Sequence, residues 1–234
     1  MTEVAAAPAS PSETVYHVPD LEECMTRLGD LHPRLCPRQV LGVRIGLHAG
    51  SLLELDLPRT DKRLLALVET DGCFADGVSV TTGCWLGRRT LRLVDYGKVA
   101  ATLADLKSGR AVRVWPHPAA RARAWSYAAN APNRWHAQLL GYQLMPVEQL
   151  LCMQPVQLQI PVARLLGQPG PRELCMGCGE EILNQRALAT PGGPRCPGCF
   201  GSHRYYRRIG AFHLQELPAS EGQRTGARPT RSQA

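Results

Sequence analysis

The chain has 234 residues and a formal net charge of +7, with 44% hydrophobic and 20% charged residues. This composition excludes a wholly disordered or collagen-like chain, and the length suits one domain of ordinary size plus a small module. No apolar run approaches the ~18 residues that a membrane-spanning helix needs. The N-terminal segment lacks a basic region followed by a sustained apolar stretch, so we expect a cytoplasmic protein without a secretory signal.

The positive charge is distributed unevenly along the chain. Residues 1–30 contain six acidic residues and one arginine, and only three of the 27 basic residues are lysines. An excess of arginine indicates either phosphate binding or a coding bias. The basic balance therefore does not, by itself, predict a nucleic-acid partner.

The first predicted elements are two helices that follow a flexible arm at residues 1–17. Asp20 and Glu23 have the spacing of a capping box, which predicts a helix start near Asp20. Cys24 falls on the apolar face of this helix, so we expect it to be a core thiol. Cys36 precedes a proline and is placed to cap a second helix, where the helix dipole favours the thiolate.

From residue 64 onward the pattern changes to short strands and then returns to helix. Strands are predicted over 64–70, 77–83, 89–95, 98–105 and 111–115, helices within 118–144, and a further strand over 156–160. Because strands and helices occur in blocks rather than in alternation, we predict an α+β fold with a mixed helix and antiparallel-sheet core.

The C-terminal third carries a strong metal-binding pattern. Two CxxC pairs are separated by seventeen residues, a spacing typical of a zinc ribbon or treble-clef-like module. Four thiolates fill a tetrahedral site and leave no open position, so the predicted zinc is structural. The predicted ligands are Cys175, Cys178, Cys196 and Cys199.

The predicted domain organisation follows from these segments. It comprises the arm at 1–17, a core domain at 18–165, a linker at 166–172, the zinc-binding module at 173–212 and a disordered tail at 217–234. Within the module, the string CGEEILNQRAL is similar to the start of zinc fingers of the DksA/TraR type.

The segment HRYYRR after the last zinc-ligand cysteine has two interpretations. Its arginines, Arg204, Arg207 and Arg208, would bind nucleic-acid phosphates while the tyrosines stack on bases. Alternatively, Tyr205 and Tyr206 pack the last strand of the module and the arginines face solvent. We favour the second interpretation, and nucleic acid remains a less favoured partner.

A second group of chemically active residues lies in the core domain. His32 and Cys36 are four residues apart, and Cys73, Asp76 and Cys84 follow in a second cluster. Thiolate and imidazole are zinc or transition-metal ligands, and a carboxylate serves as a ligand or as a base. Together these residues predict a functional site formed by loops at the ends of elements.

Four segments in order resemble the FmdE family of formylmethanofuran dehydrogenase components: HPRLCPRQVLGVRIG, ETDGCFADGVSVTTGC, GRRTLRLVDYGKVAATL and GRAVRV. The resemblance implies an α+β core, often dimeric, with a metal-binding cleft lined by His and Cys residues. The matching positions are His32, Cys36, Cys73, Asp76, Thr82 and Gly83, with Asp95, Tyr96, Gly97 and Lys98 in the third segment.

The chain departs from the family pattern at one position that bears on the metal. Arg34 stands where the first motif has its second histidine. Cys84 is a candidate replacement ligand, which gives His32, Cys36, Cys73 and Cys84 as the candidate set for a second metal of unknown identity. Alternatively, Arg34 turns the cleft into an anion site.

Three functions are compatible with these residues. The first is a metal-binding FmdE-like protein, an accessory or redox-associated component that forms a homodimer or binds a molybdenum or tungsten enzyme or another protein. The second is a stand-alone enzyme in which Cys36 is nucleophile or ligand and His32 or Asp76 handles the proton. The third is a nucleic-acid-binding regulator. Whether it is an enzyme stays open, because the chain lacks the motifs of a molybdopterin catalytic chain.

Overall fold

A computed structural model describes residues 16–162, 166, 170–201 and 206 of the chain. The chain divides into two compact units, residues 1–169 and 170–234, which are described separately. Residues 1–15 of the predicted arm, part of the predicted linker and the whole predicted tail lie outside the described residues. No helix in the described part of the chain is long and apolar enough to cross a membrane.

The described residues of the first unit include six helices and five strands. The helices are α1 (Leu21–Leu31), α2 (Pro37–Leu53), α3 (Cys73–Thr82), α4 (Ala120–Tyr127), α5 (Arg134–Leu144) and α6 (Val147–Leu150). The strands are β1 (Leu64–Val68), β2 (Leu91–Leu93), β3 (Ala101–Asp105), β4 (Ala111–Pro116) and β5 (Leu151–Val156).

The strands form one open sheet with the order β2-β1-β3-β4-β5. Strands β1 and β2 are parallel and α3 connects them, whereas the other neighbouring strands are antiparallel. Every residue of β1 and β3 is buried. The core is thus a mixed α+β domain, as predicted, and its sheet is not closed.

The starts of the first two helices confirm the capping predictions. Asp20 caps α1, because its Oδ1 accepts a hydrogen bond from the backbone N–H of Glu23 at 2.7 Å. Cys36 is the N-cap of α2, and its backbone N–H donates to Oε1 of Gln39 at 2.6 Å. The predicted core position of Cys24 is also confirmed, because its side chain is fully buried.

The strand predicted over 77–83 is wrong, because these residues form most of α3. Their β-branched side chains favour a strand, but helix packing outweighs this weak preference. The buried hydroxyls of Thr81 and Thr82 donate to the carbonyls of Gly77 and Val78, at 2.9 Å and 2.7 Å. These bonds within the helix satisfy the two polar groups that burial would otherwise leave unpaired.

The last predicted strand of the core is displaced. The observed strand β5 ends at Val156, where the predicted strand over 156–160 begins. Pro155 lies within β5, and a proline in a strand is typical of the sheet edge, where no backbone donor is needed on the outer side. A sequence pattern does not show which strand lies at the sheet edge, so a segment that contains proline is not predicted as a strand.

The second unit is built around the cysteine-rich segment. Its strands β6 (Glu173–Leu174) and β7 (Glu181–Ile182) pair in antiparallel fashion, and the short helix α7 (Pro197–Phe200) follows Cys196. A single bridge joins Leu188 to Arg195. These elements are too small to bury a large core, so metal ligation is expected to supply most of their stability.

Candidate functional site

Helices α2 and α3 lie in direct backbone contact through glycines. A Cβ atom placed on Gly42 would lie 3.0 Å from Cα of Gly77, and one placed on Gly46 would lie 2.9 Å from Cβ of Thr81. From the first contact to the second, the position moves four residues toward the C-terminus on both helices, so α2 and α3 run in the same direction. Their N-termini therefore lie side by side.

The aligned N-termini bring two cysteines together. Cys36 caps α2 and Cys73 is the first residue of α3, and the two thiols lie close enough for Cys36 to influence the pKa of Cys73. Burial raises the pKa of Cys73, and the contact with Cys36 raises it further. Both side chains remain partly accessible, so a thiol pair is open to a ligand or a metal ion.

His32 and Asp76 form a second pair, which involves the same helix α3. Nε2 of His32, which follows α1, lies 2.9 Å from Oδ2 of Asp76 in the first turn of α3. The two side chains are 30% and 36% exposed. When Nε2 carries the ring proton, its N–H donates a hydrogen bond to Oδ2 of Asp76, and Nδ1 is left with a lone pair that can bind a metal.

Gln39 is a residue of this site that the sequence analysis did not single out. Its side chain is fully buried and Oε1 accepts the backbone N–H of Cys36, while Nε2 has no hydrogen-bond partner within the described residues. An unpaired buried amide costs stability, so this position is not explained by packing. Its position three residues after the N-cap Cys36 is that of a capping box, and this spacing could have predicted its hydrogen bond to Cys36.

Cys84 does not belong to the cleft, which corrects the predicted ligand set. Its side chain is 1% exposed, its Sγ donates to the carbonyl of Leu64 at 3.4 Å, and burial raises its pKa. Cys73 and Cys84 lie at opposite ends of α3, whose ten residues span about 15 Å. One ion cannot bind both thiols.

Several other residues of the family resemblance have structural roles. Gly83 ends α3 in a left-handed conformation with φ of 73°. Asp95 accepts the backbone N–H of Gly97 at 3.0 Å in the turn after β2, and Nζ of Lys98 lies 5.8 Å from the ring centre of Tyr96. The side chain of Arg34 is exposed, and the anion site suggested for it stays a prediction.

A cavity of about 310 Å³ opens next to the His32–Asp76 pair. It lies beside α3 and the adjacent ends of β1 and β2. Its walls are mainly apolar, with an indole ring from Trp85, and Asp76 is one of the lining residues. The cavity and the histidine pair thus share a carboxylate.

The second unit holds four cysteines in a metal-binding arrangement. The Sγ atoms of Cys175, Cys178, Cys196 and Cys199 all lie within 4.8 Å of one another. Sγ of Cys175 accepts backbone N–H groups from Cys196 at 3.2 Å and Gly177 at 3.4 Å. These bonds, with that of Cys196 the largest contribution, lower the pKa of Cys175 to about 6. The chemistry fits a zinc ion bound by thiolates.

Within the described parts of the chain, these four cysteines are the one group of three or more metal-ligating side chains gathered so closely. The cleft residues form two pairs, Cys36 with Cys73 and His32 with Asp76. The arginines Arg204, Arg207 and Arg208, which the nucleic-acid prediction requires, lie outside the described residues.

A mixed α+β core followed by a four-cysteine zinc finger defines the class of this protein. A family model described as "FmdE, Molybdenum formylmethanofuran dehydrogenase operon" matches residues 31–155, and the chain belongs to this family. A second model, "Prokaryotic dksA/traR C4-type zinc finger", matches residues 169–205. Both resemblances noted from the sequence are confirmed.

Two known proteins show the extent of the similarity. A crystal structure of a tungsten formylmethanofuran dehydrogenase FmdE-like protein from Syntrophus aciditrophicus covers 82% of this chain and 100% of that chain, with 22% identity and a TM-score of 0.55. It supports the fold alone. A "Probable S-adenosyl-L-methionine-binding protein" from Archaeoglobus fulgidus is 36% identical over 98 residues, which are 41% of this chain. The match spans 27% of the length of that curated relative.

Proposed function

We propose that this protein binds two metal ions, a structural zinc in the four-cysteine module and a second ion in the core cleft. The observation that carries the second site is the junction of the α2 and α3 N-termini, which the glycine contact holds together and which places Cys36 near Cys73. Two thiolates and one imidazole suit zinc or another soft divalent metal. The proposed ligands are Cys36, Cys73 and Nδ1 of His32, which the metal would draw together, because these three ligand atoms do not all lie within 4.8 Å of one another in the structure.

Asp76 acts in this proposal as a positioning residue for the imidazole. Its Oδ2 lies 2.9 Å from Nε2 of His32, which fixes the ring and leaves Nδ1 for the metal. With three protein ligands, a fourth position stays open for water or an organic ligand, as in catalytic zinc sites. The side chain of Gln39 is hydrogen-bonded to the backbone of Cys36, and its unpaired Nε2 supports the binding of a polar ligand near this cysteine.

Metal analysis of purified variants tests this proposal. We expect two equivalents per chain in the wild type and one after the double substitution Cys36→Ser and Cys73→Ser. Cys152→Ser, a partly buried thiol on β5, serves as the matched control and should keep both equivalents. A wild-type protein with one equivalent, or a double variant that keeps two, would contradict the core site.

The proposed role is that of an accessory or redox-associated component of the FmdE type. The description of the matching family, which names a formylmethanofuran dehydrogenase operon, supports this role. The proposed partners are a second copy of the chain and a molybdenum or tungsten enzyme. Light scattering on the purified chain tests the first of these, and a monomer at micromolar concentration would exclude a stable homodimer.

A second candidate function is the binding of S-adenosyl-L-methionine. The name of the Archaeoglobus relative suggests this ligand, and the observation that favours it here is the cavity beside Asp76. A carboxylate at the end of an apolar cavity attracts a sulfonium cation, and it does not attract the uncharged thioether of S-adenosylhomocysteine. Calorimetric titration of the full chain with both compounds tests the idea: S-adenosyl-L-methionine should bind more tightly than S-adenosylhomocysteine, and no binding of the first compound or equal affinity for the two would contradict it.

A further inference from the structure

The cavity beside α3 has the position and size of a small-molecule site. It lies at the carboxyl end of β1, between α3, which follows β1, and the loop that contains Trp85, which precedes the parallel strand β2. Ligands of open α/β sheets bind in the crevice at this end of parallel strands. Its volume of about 310 Å³ falls at the lower end of the range for ligand pockets.

The walls of the cavity suit a flat apolar group. Val68 and Leu91 come from the two parallel strands, and Trp85 adds an aromatic surface. Leu86 and Leu93, which also line the cavity, remain 63% and 45% exposed. An aromatic ring bound in the cavity would cover apolar surface of these leucines, and the indole offers a face on which it would stack.

The charged residues that line the cavity are acidic. Asp71 and Asp76 both line it, and no Arg or Lys lines it within the described part of the chain. Asp76 contacts His32, whereas the exposed side chain of Asp71 has neither a hydrogen-bond nor an ion-pair partner among the described residues. A carboxylate has enough acceptor sites to bind both hydroxyls of a ribose, and it repels a phosphate.

We propose that this cavity is a nucleoside subsite in which the base packs against Trp85 and the ribose hydroxyls donate to Asp71. The inference deepens the second candidate function, since it assigns the nucleoside part of the ligand to named residues. It also sets a specificity, because the acidic end with no lining cation among the described residues disfavours nucleotides. The ligand would lie next to Asp76 and hence next to the proposed core metal site.

The experiment is calorimetric titration of the full chain with adenosine, 2′,3′-dideoxyadenosine and AMP. Adenosine is expected to bind, and the other two to bind at least about tenfold more weakly, since one lacks the hydroxyls and the other brings a phosphate to the carboxylates. Equal affinity for adenosine and the dideoxy compound, or tighter binding of AMP, would overturn the proposal. So would absence of adenosine binding.

Two variants distinguish adenosine binding in this cavity from adenosine binding elsewhere on the protein. Asp71→Asn should weaken adenosine about tenfold and remove its advantage over the dideoxy compound. Asp30→Asn, an exposed carboxylate on α1 outside the cavity, is the matched control and should change neither. Adenosine binding that Asp71→Asn leaves unchanged would overturn the subsite even if S-adenosyl-L-methionine binds. Adenosine binding without S-adenosyl-L-methionine binding would instead overturn the second candidate function alone.

Discussion

Gly42 on α2 and Gly77 on α3 bring the backbones of two helices into contact. A Cβ atom on Gly77 would lie 2.4 Å from the carbonyl oxygen of Gln39 and 3.0 Å from Cα of Gly42. No side chain fits between helices at this separation. The contact therefore fixes how closely the N-termini of α2 and α3 approach, and with them Cys36 and Cys73.

Substitution of the glycine at this contact should destabilise the core domain. Gly77→Ala places a methyl group against backbone atoms, which cannot move without separating α2 from α3, and overpacking of this kind costs about 2 kcal/mol. Urea unfolding followed by circular dichroism measures the free energy of unfolding. The same variant should also lower the affinity for the core metal.

Gly29→Ala is the matched control for this prediction. Gly29 lies in α1 with nothing within 4 Å of an added Cβ atom, so alanine should leave the stability unchanged or raise it by up to about 1 kcal/mol. Equal effects of the two substitutions would show that the α2–α3 contact has no special importance.

Loss of the carboxylate that contacts His32 should weaken the core metal site. Asp76→Asn removes the charge that orients the imidazole, and changes of this kind typically lower metal affinity about 10–100-fold. Competition with a chelator measures the affinity, and the zinc of the four-cysteine module should be unaffected. An unchanged affinity at the core site would argue against His32 as a ligand.

The four-cysteine module should depend on a glycine within its first CxxC pair. A Cβ atom on Gly177 would lie 2.9 Å from Cβ and 3.0 Å from Sγ of Cys199. We expect Gly177→Ala to displace this ligand and to lower zinc affinity at least about tenfold, as measured by chelator competition. Gly192→Ala is a control in the same unit, because its nearest neighbour is 4.0 Å away, and its zinc affinity should match the wild type.

Acid stability should depend on the buried carboxylate of Asp105. Its side chain is 1% exposed and binds Arg63 through both oxygens, at 2.7 Å and 2.8 Å, and this guanidinium holds the pKa of Asp105 well below its usual range. The pKa is lower in the folded state than in the unfolded chain, so the stabilisation is complete above the unfolded value of about 4. It is lost as the pH falls below that value.

Substitution of Asp105 tests this linkage. Asp105→Asn should cost about 3 kcal/mol of unfolding free energy at pH 7 and should reduce the loss of stability between about pH 4 and pH 2. Asp61→Asn removes the partner of Arg59 in a more exposed ion pair and should cost less than about 1 kcal/mol. Chemical unfolding over a pH series measures both, and parallel curves for Asp105→Asn and the wild type would contradict the prediction.

Local patterns in the sequence determined the parts of the structure that depend on near neighbours. The caps at Asp20 and Cys36 and the two CxxC pairs follow from hydrogen bonds or ligand geometry within a few residues, and most of the strands follow from their short apolar patterns. The family resemblance was also visible in short motifs. The caps and the spacing within each CxxC pair are fixed by backbone geometry over short distances, so the sequence alone predicts them.

Tertiary packing decided the rest. Residues 77–82 form a helix rather than a strand because the glycine contact with α2 and hydrogen bonds from buried threonine hydroxyls outweigh their β-branched propensity. The same packing brings Cys36 to Cys73 and leaves Cys84 at the far end of α3. Spacing in the sequence does not show which of three cysteines share a site, because the answer depends on the direction and separation of two packed helices.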